Sequence, residues 1–276
     1  MPRPFPAGVE PEELEHRYRL EKRLADRLRL AAPGERSAVY AEVYSEYARH
    51  AEGAEVDAGS LELQTALLTP WLDERTVFAE VGAGSGVLAR RVAAAGPGRR
   101  VLAIEAVPGE SGGAVEWLAH DETGSRIASQ TVDVAYSCHV LEHLHPEDAP
   151  DHFREVLRWL RPSAPYLMVT PNRLCGPHDI SGYFSDRPEG FHLREYTHGE
   201  LAAVARRAGF SRISALGRSG LPAPLWRASL AERALEAAGP SLRRWLFDRF
   251  PPIAQRAPLR PLEQVALAAF KDSGSP

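Results

Sequence analysis

Cysteine is scarce in this chain of 276 residues: Cys138 and Cys175 are the two present, and neither belongs to a C-x-x-C pair or a metal-ligand spacing. That removes a disulfide framework and a cysteine-based metal centre, and it fits a reducing compartment, with the cytoplasm as the expected location. Long apolar runs are missing as well. No segment approaches the roughly 18 consecutive apolar residues of a membrane span, and the opening Met1-Pro-Arg-Pro-Phe-Pro lacks the apolar core of a secretion signal. Nor does one sign of charge dominate: 33 Lys and Arg stand against 37 Asp and Glu, a net charge of −4. Such a balance sets up no general field for a polyanion, which disfavours nucleic acid as a partner.

Glycine is placed, not scattered. Three of the 22 glycines, Gly82, Gly84 and Gly86, fall within five residues, directly after the apolar run Val77-Phe-Ala-Glu-Val81 and directly before Val87-Leu-Ala-Arg-Arg. The pattern predicts a buried strand over Val77 to Val81, a tight turn, and a helix from Val87 to about Ala95. Missing Cβ atoms in such a turn let backbone amides approach a ligand at the helix N-terminus. Two nucleotide motifs do not fit. G-x-G-x-x-G needs glycine where Val87 stands, and the phosphate loop needs a lysine that is absent. The pattern present is E-x-G-x-G-x-G, with Glu80 two residues before the first glycine. A carboxylate there repels a pyrophosphate and suits a cationic ligand. A second apolar run, Arg100 to Glu105, ends on an acid nineteen residues past Gly86, close to the ~20 expected of a carboxylate that accepts ribose hydroxyls.

The rest of the chain alternates between the two periodicities. Pro11 to Leu30 and Ser37 to His50 read as helices, with Ser37 as an N-cap, and form a helical arm over residues 1–60. Leu61 to Leu72 reads as the helix before the first strand. Further strands are expected at Val115 to Ala119, Val132 to Ser137, Tyr166 to Thr170, Phe210 to Leu216 and Val265 to Lys271. Helices are expected at His152 to Leu160, capped by Asp151, and at Glu200 to Gly209. Residues 106–114 are too rich in glycine and proline for a helix, and 219–262 read as a proline-broken helical insertion carrying Trp226, Trp245 and Phe247. Alternating strands and helices predict an α/β fold with a doubly wound, mainly parallel sheet over residues 61–276.

These motifs resemble those of class I S-adenosylmethionine (SAM) methyltransferases. The likeness rests on the acid and glycine run, on Asp133-Val-Ala-Tyr-Ser with Leu141-Glu-His-Leu-His-Pro-Glu-Asp, on Thr170-Pro-Asn-Arg with Gly176-Pro-His-Asp, and on Gly190-Phe-His-Leu-Arg-Glu-Tyr-Thr. Together they look like a bacterial subgroup of that family. The resemblance implies a Rossmann-like, seven-stranded sheet and SAM as cofactor. It implies that Glu80, Gly82, Ala83, Gly84, Gly86, Glu105, Asp121, Ser137 and His139 bind that cofactor, with Asp121 at the adenine. The resemblance names no acceptor; the expected reaction is methyl transfer to a hydroxyl of a small molecule or a glycan, and a homodimer through the arm is one use for residues 1–60. A protein that keeps the fold as a silent binding or regulatory module is the alternative.

An acceptor hydroxyl must lose its proton, which an imidazole near neutral pKa can take. His178, His139 and His192 all lie in segments expected on the cofactor side, and His178 is the first choice because Asp179 stands beside it. The run His139-x-x-Glu142-His143 is also a text match to the H-x-x-E-H metal motif. It is similar to the E-x-x-E-H of small-RNA and ubiquinone-pathway O-methyltransferases as well. With His139 in place of the first glutamate the set is softer than magnesium prefers. The expectation is therefore no metal, with His139, Glu142 and His143 as the residues to watch and activity surviving a chelator.

Overall fold

A computed structural model describes residues 5, 8–50, 58–106, 114–119, 126–217, 219–239 and 264–274. Its centre is an eight-stranded sheet in the order β3-β2-β1-β4-β5-β8-β6-β7. The strands are β1 (Val77–Val81), β2 (Arg100–Glu105), β3 (Val115–Ala119), β4 (Val134–Cys138), β5 (Pro165–Pro171), β6 (Arg212–Leu216), β7 (Pro222–Ala223) and β8 (Gln264–Phe270). β1 to β5 pair in parallel, and β8 inserts antiparallel between β5 and β6. The expected seven strands thus become eight, the addition being the two-residue edge strand β7, which pairs with β6.

Seven helices accompany the sheet among the described residues: α1 (Pro11–Leu30), α2 (Arg36–His50), α3 (Ala58–Leu68), α4 (Val87–Ala95), α5 (Ala149–Trp159), α6 (His198–Ala208) and α7 (Leu225–Ala237). Neighbouring residues of a strand point to opposite faces, so β1, β2 and β4 feed two cores. Phe78, Val101, Ala103, Val134 and Tyr136 pack with Leu67, Leu68, Leu88 and Val92 of α3 and α4. Ala79, Val81, Leu102, Ile104 and Ala135 pack on the other face with Phe153, Val156, Trp159 and Leu201 of α5 and α6. Strands covered on both faces must be apolar nearly throughout, which is why they read as unbroken runs.

Four helix starts differ from the sequence expectation: α2 begins at Arg36, which puts Ser37 inside the helix instead of at its N-cap, α3 begins at Ala58 instead of Leu61, and α5 and α6 shift for local reasons. α5 begins at Ala149 instead of His152, and Asp148, at its N-cap position, makes no side-chain cap. The Asp148 carboxylate is drawn off by Arg36 and Tyr40 of α2. α6 begins at His198 because Thr197 and Glu200 form a reciprocal capping box.

The sheet order reverses between β1 and β4, so a crevice opens beyond their carboxyl ends, the usual ligand position in such sheets. The helical arm rests on the loops along that edge. Leu20, Leu24, Leu28 and Val43 of α1 and α2 form a cluster with Phe191, and Arg36 pairs with Glu147 and Asp148. α7 is held by Glu232, whose carboxylate accepts from Asn172 and from the backbone N–H and ring of His198. Asp121, most of 106–114, and Trp245 and Phe247 of the insertion lie outside the described residues.

Candidate active site

β1 delivers Glu80 to the crevice almost fully buried, 6 % exposed. One of its carboxylate oxygens, Oε2, has no hydrogen-bond partner among the described residues. Burial pushes its pKa up to about 8; the nearby Glu105 charge adds to that, while the Ala89 backbone amide opposes it. A buried acid in this state has a site for a positive group. An unpaired buried polar atom otherwise costs about 1–3 kcal/mol, so its retention calls for a partner.

The three glycines that follow all sit at positive φ: +71°, +53° and +72° for Gly82, Gly84 and Gly86. What a side chain would meet at each distinguishes them. A Cβ on Gly82 would lie 2.2 Å from Cγ2 of Val140, and one on Gly86 2.6 Å from the Trp117 ring, whereas one on Gly84 meets nothing within 4 Å. Two of the three glycines are thus required by packing, and one faces open space. Gly84 donates its N–H to Oε2 of Glu105 at 2.7 Å, and Oε1 of Glu105 accepts from the Ala106 N–H at 2.9 Å. Glu105 therefore fastens the glycine turn to the end of β2. The Ala83 amide, like that of Gly82, is given to the Ile104 carbonyl.

Ser137 is differently placed. Its hydroxyl is fully buried and 2.8 Å from the Tyr166 hydroxyl, which lies 2.8 Å from Nε2 of His152. The Ser137 side chain is committed to this internal chain beneath the crevice.

The segment after β4 crosses the crevice. Val140 packs on Gly82, and His139, at φ +56°, holds Nδ1 3.0 Å from Oε1 of Glu142. Glu142 is completely buried, and its Oε2 accepts from the Thr170 hydroxyl at 2.9 Å. Burial works against its ionisation, but the His139 hydrogen bond and the neighbouring imidazoles outweigh it and bring the pKa to about 2. Burial drives His143 the other way, down to about 4, so it is neutral at physiological pH. Its Nδ1 lies 2.8 Å from the Phe191 carbonyl, which can only accept, so Nδ1 carries the proton.

The loop between β5 and α6 closes the group. His192 sits with Nδ1 2.8 Å from Oε1 of Glu195, and its ring centroid is 5.0 Å from that of His143. Burial lowers the His192 pKa, but the Glu195 hydrogen bond and the surrounding carboxylates win, leaving it above the ordinary value. His178 gives its Nε2–H to the Asn172 carbonyl at 3.0 Å and its backbone N–H to Glu195. Asp179, expected to orient His178, instead accepts from the Ser181 backbone and hydroxyl and from the His192 amide. A cavity of about 350 Å³ lies between α1 and this loop, lined by Glu13, Arg17, His178, Asp179, Ile180 and Tyr183 among others. His178 lines this cavity with residues of α1, while His192 joins Glu142 and His143.

Four groups at the site escaped the sequence reading: Trp117, Val140, Glu195 and Tyr44. Tyr44 of α2 is half-buried, its pKa raised chiefly by burial and then by the charges of Tyr40, Glu105 and Glu142, and its ring is 5.3 Å from that of Phe191. The recurrence of Tyr40, Tyr44 and Tyr47 on one helix was the available signal.

A family described as methyltransferase domain matches residues 47–215. No curated protein matches the chain. Among solved structures, the Burkholderia thailandensis 1,6-didemethyltoxoflavin-N1-methyltransferase, with bound 1,6-didemethyltoxoflavin and S-adenosylhomocysteine, superposes with a TM-score of 0.55 at 19 % identity, over 88 % of this chain and 92 % of that one. The putative methyltransferase in complex with the Haloferax volcanii Trm112 activator gives 0.52 at 14 %, over 86 % and 97 %. Haemonchus contortus phosphoethanolamine N-methyltransferase 2 with SAM gives 0.51 at 16 %, over 98 % and 62 %.

Proposed function

We propose that this chain, which belongs to the methyltransferase-domain family, binds SAM in the β1–β4 crevice and methylates a hydroxyl of a small molecule or glycan. The observation that carries the reading is Glu80, a buried acid with one unpartnered oxygen, beside a glycine whose missing side chain faces open space. A sulfonium supplies the positive partner that Glu80 lacks. Gly82, Ala83, Gly84 and Gly86 shape the turn around the ligand, Glu105 takes the ribose side, and His139 and the Ser137 backbone border it from β4. Asp121 completes the proposed set. Membership in the narrower bacterial subgroup marked by Thr170-Pro-Asn-Arg and Gly176-Pro-His-Asp belongs to the same proposal.

When bound, SAM supplies a methyl group on a positive sulfur, to which the C–S bonding pair returns as the new C–O bond forms. The chain has three tasks. It holds the acceptor oxygen in line, about 3–3.5 Å from the methyl carbon. It excludes water, for which the arm, packed on Phe191 and on residues 147–148, is suited. It also removes the hydroxyl proton. His178 is the favoured base; it lines the cavity beside α1, and its Nε2–H is given to the Asn172 carbonyl. His139 and His192 are the other candidates.

Calorimetry with SAM and with S-adenosylhomocysteine tests the reading. Micromolar binding of both is expected. Undetectable binding of both removes the proposal, and binding without transfer to any hydroxylated acceptor reduces it to a binding protein.

A further inference from the structure

Glu142, His143 and His192 each place one ligand atom within 4.8 Å of the others. They come from two segments far apart in sequence, and backbone hydrogen bonds lock those segments together. The Glu142 carbonyl accepts from the N–H groups of Leu193, at 2.7 Å, and Arg194, at 3.1 Å. His192 is therefore held against the end of β4 by the chain itself.

The hydrogen bonds around the two imidazoles fix which nitrogen each presents. Nδ1–H of His143 is given to the Phe191 carbonyl and Nδ1–H of His192 to the Glu195 carboxylate. Both Nε2 lone pairs are thereby oriented. A ring nitrogen tied to a carbonyl or carboxylate so that the opposite nitrogen can bind is the outer support that metal-ligating histidines have. Glu142 supplies the charge. It is wholly buried, and among the described residues no Lys or Arg pairs with it, its ion-pair partner being His139. A buried carboxylate with two aimed imidazoles and no fixed cation nearby meets the usual conditions for a coordinated ion.

We propose that Glu142, His143 and His192 bind one divalent transition cation, zinc or a close relative, at the carboxyl end of β4. Two imidazoles and one carboxylate form the open donor set of catalytic sites, which leaves positions for a further ligand, and they disfavour magnesium and calcium. Bonds of about 2.1 Å require donor atoms to approach to roughly 3.4 Å, so small side-chain rotations close the site. His139, whose Nδ1 holds Oε1 of Glu142, is a positioning residue. Val140, between His139 and Glu142, touches Gly82, which puts the cation beside the glycine turn. Resting on the proposed methyl transfer, the open position would take the acceptor oxygen. There the cation lowers the hydroxyl pKa.

The test uses the full chain, stripped with chelator and titrated with Co²⁺, whose ligand-field absorption reports coordination. One equivalent is expected to bind. His192→Ala and Glu142→Gln should abolish the spectrum, with folding checked by circular dichroism. Glu195→Gln, which leaves every ligand in place, should weaken binding about 10- to 100-fold. His16→Ala, an exposed residue of α1, controls for adventitious histidine binding and should change nothing. Absence of stoichiometric cobalt, or full retention by folded His192→Ala, overturns the site. The same preparations titrated with S-adenosylhomocysteine separate the two proposals: S-adenosylhomocysteine binding without cobalt removes the cation alone, and cobalt binding without S-adenosylhomocysteine removes the cofactor reading alone.

Discussion

The glycine turn after β1 and the histidine cluster after β4 border one crevice and are built in opposite ways. The turn offers backbone and space: Gly84 faces nothing within 4 Å, and Glu80 keeps one buried oxygen without a partner. In the cluster each chemical group has a designated partner. Thr170 and His139 hold Glu142, Phe191 holds His143, and Glu195 holds His192. A site proposed to take a cationic organic ligand can leave its acid protonated and without a partner, because the ligand completes it. One that must aim lone pairs needs its other nitrogens fixed first. Substitutions in the turn should therefore act through shape and charge, and those in the cluster through lost orientation.

The largest expected effect falls on the turn. Gly84→Arg should reduce SAM affinity at least about 1,000-fold while leaving a folded protein, since its side chain enters the open space and its left-handed φ of +53° costs only about 1–2 kcal/mol. Calorimetry with circular dichroism checks this, and retained affinity in a folded variant would place the pocket elsewhere. Next in size, His178→Ala should lower turnover of a hydroxylated acceptor by about 100- to 10,000-fold with SAM affinity unchanged. Full turnover would leave His178 a lining residue only.

A smaller effect separates glycines within the turn. Gly82→Ala must displace Val140 and should lose about 1–3 kcal/mol more stability in urea unfolding than Gly84→Ala, although both share the left-handed strain. Equal losses would show that Val140 yields freely and that packing does not dictate Gly82.

How legible these two regions are from sequence follows from the same contrast. β1, α4, β2 and β3 run between the residues expected of them, because an unbroken apolar run, clustered glycines and a second apolar run are contiguous signals. Glu80, the proposed cofactor acid, is readable for the same reason. His192 is not readable as a neighbour of Glu142 and His143, since only the Leu193 and Arg194 amides on the Glu142 carbonyl bring it there. In sequence the motif His139-x-x-Glu142-His143 is therefore incomplete, and the expectation of indifference to chelator rests on that. Asp179 misled through proximity: adjacent to His178 in sequence, it spends its carboxylate on Ser181 and His192. The edge strand β7 has only two residues, too few for any periodicity to show.

The central claim is that the unpaired acid of the turn exists to meet a sulfonium. Its folded pKa of about 8 lies above the ordinary 4.5. Glu80 thus costs free-protein stability increasingly as pH rises from about 4.5 to about 8, and binding of a cation must release its proton below that upper value. The deciding measurement is calorimetry of SAM and S-adenosylhomocysteine, which differ by the sulfonium charge and its methyl group, across pH 6 to 9 on wild type and Glu80→Gln. The preference for SAM should grow about tenfold per pH unit until it levels near pH 8, and in Glu80→Gln it should be small and flat. A wild-type preference independent of pH, or unchanged by Glu80→Gln, would contradict the account.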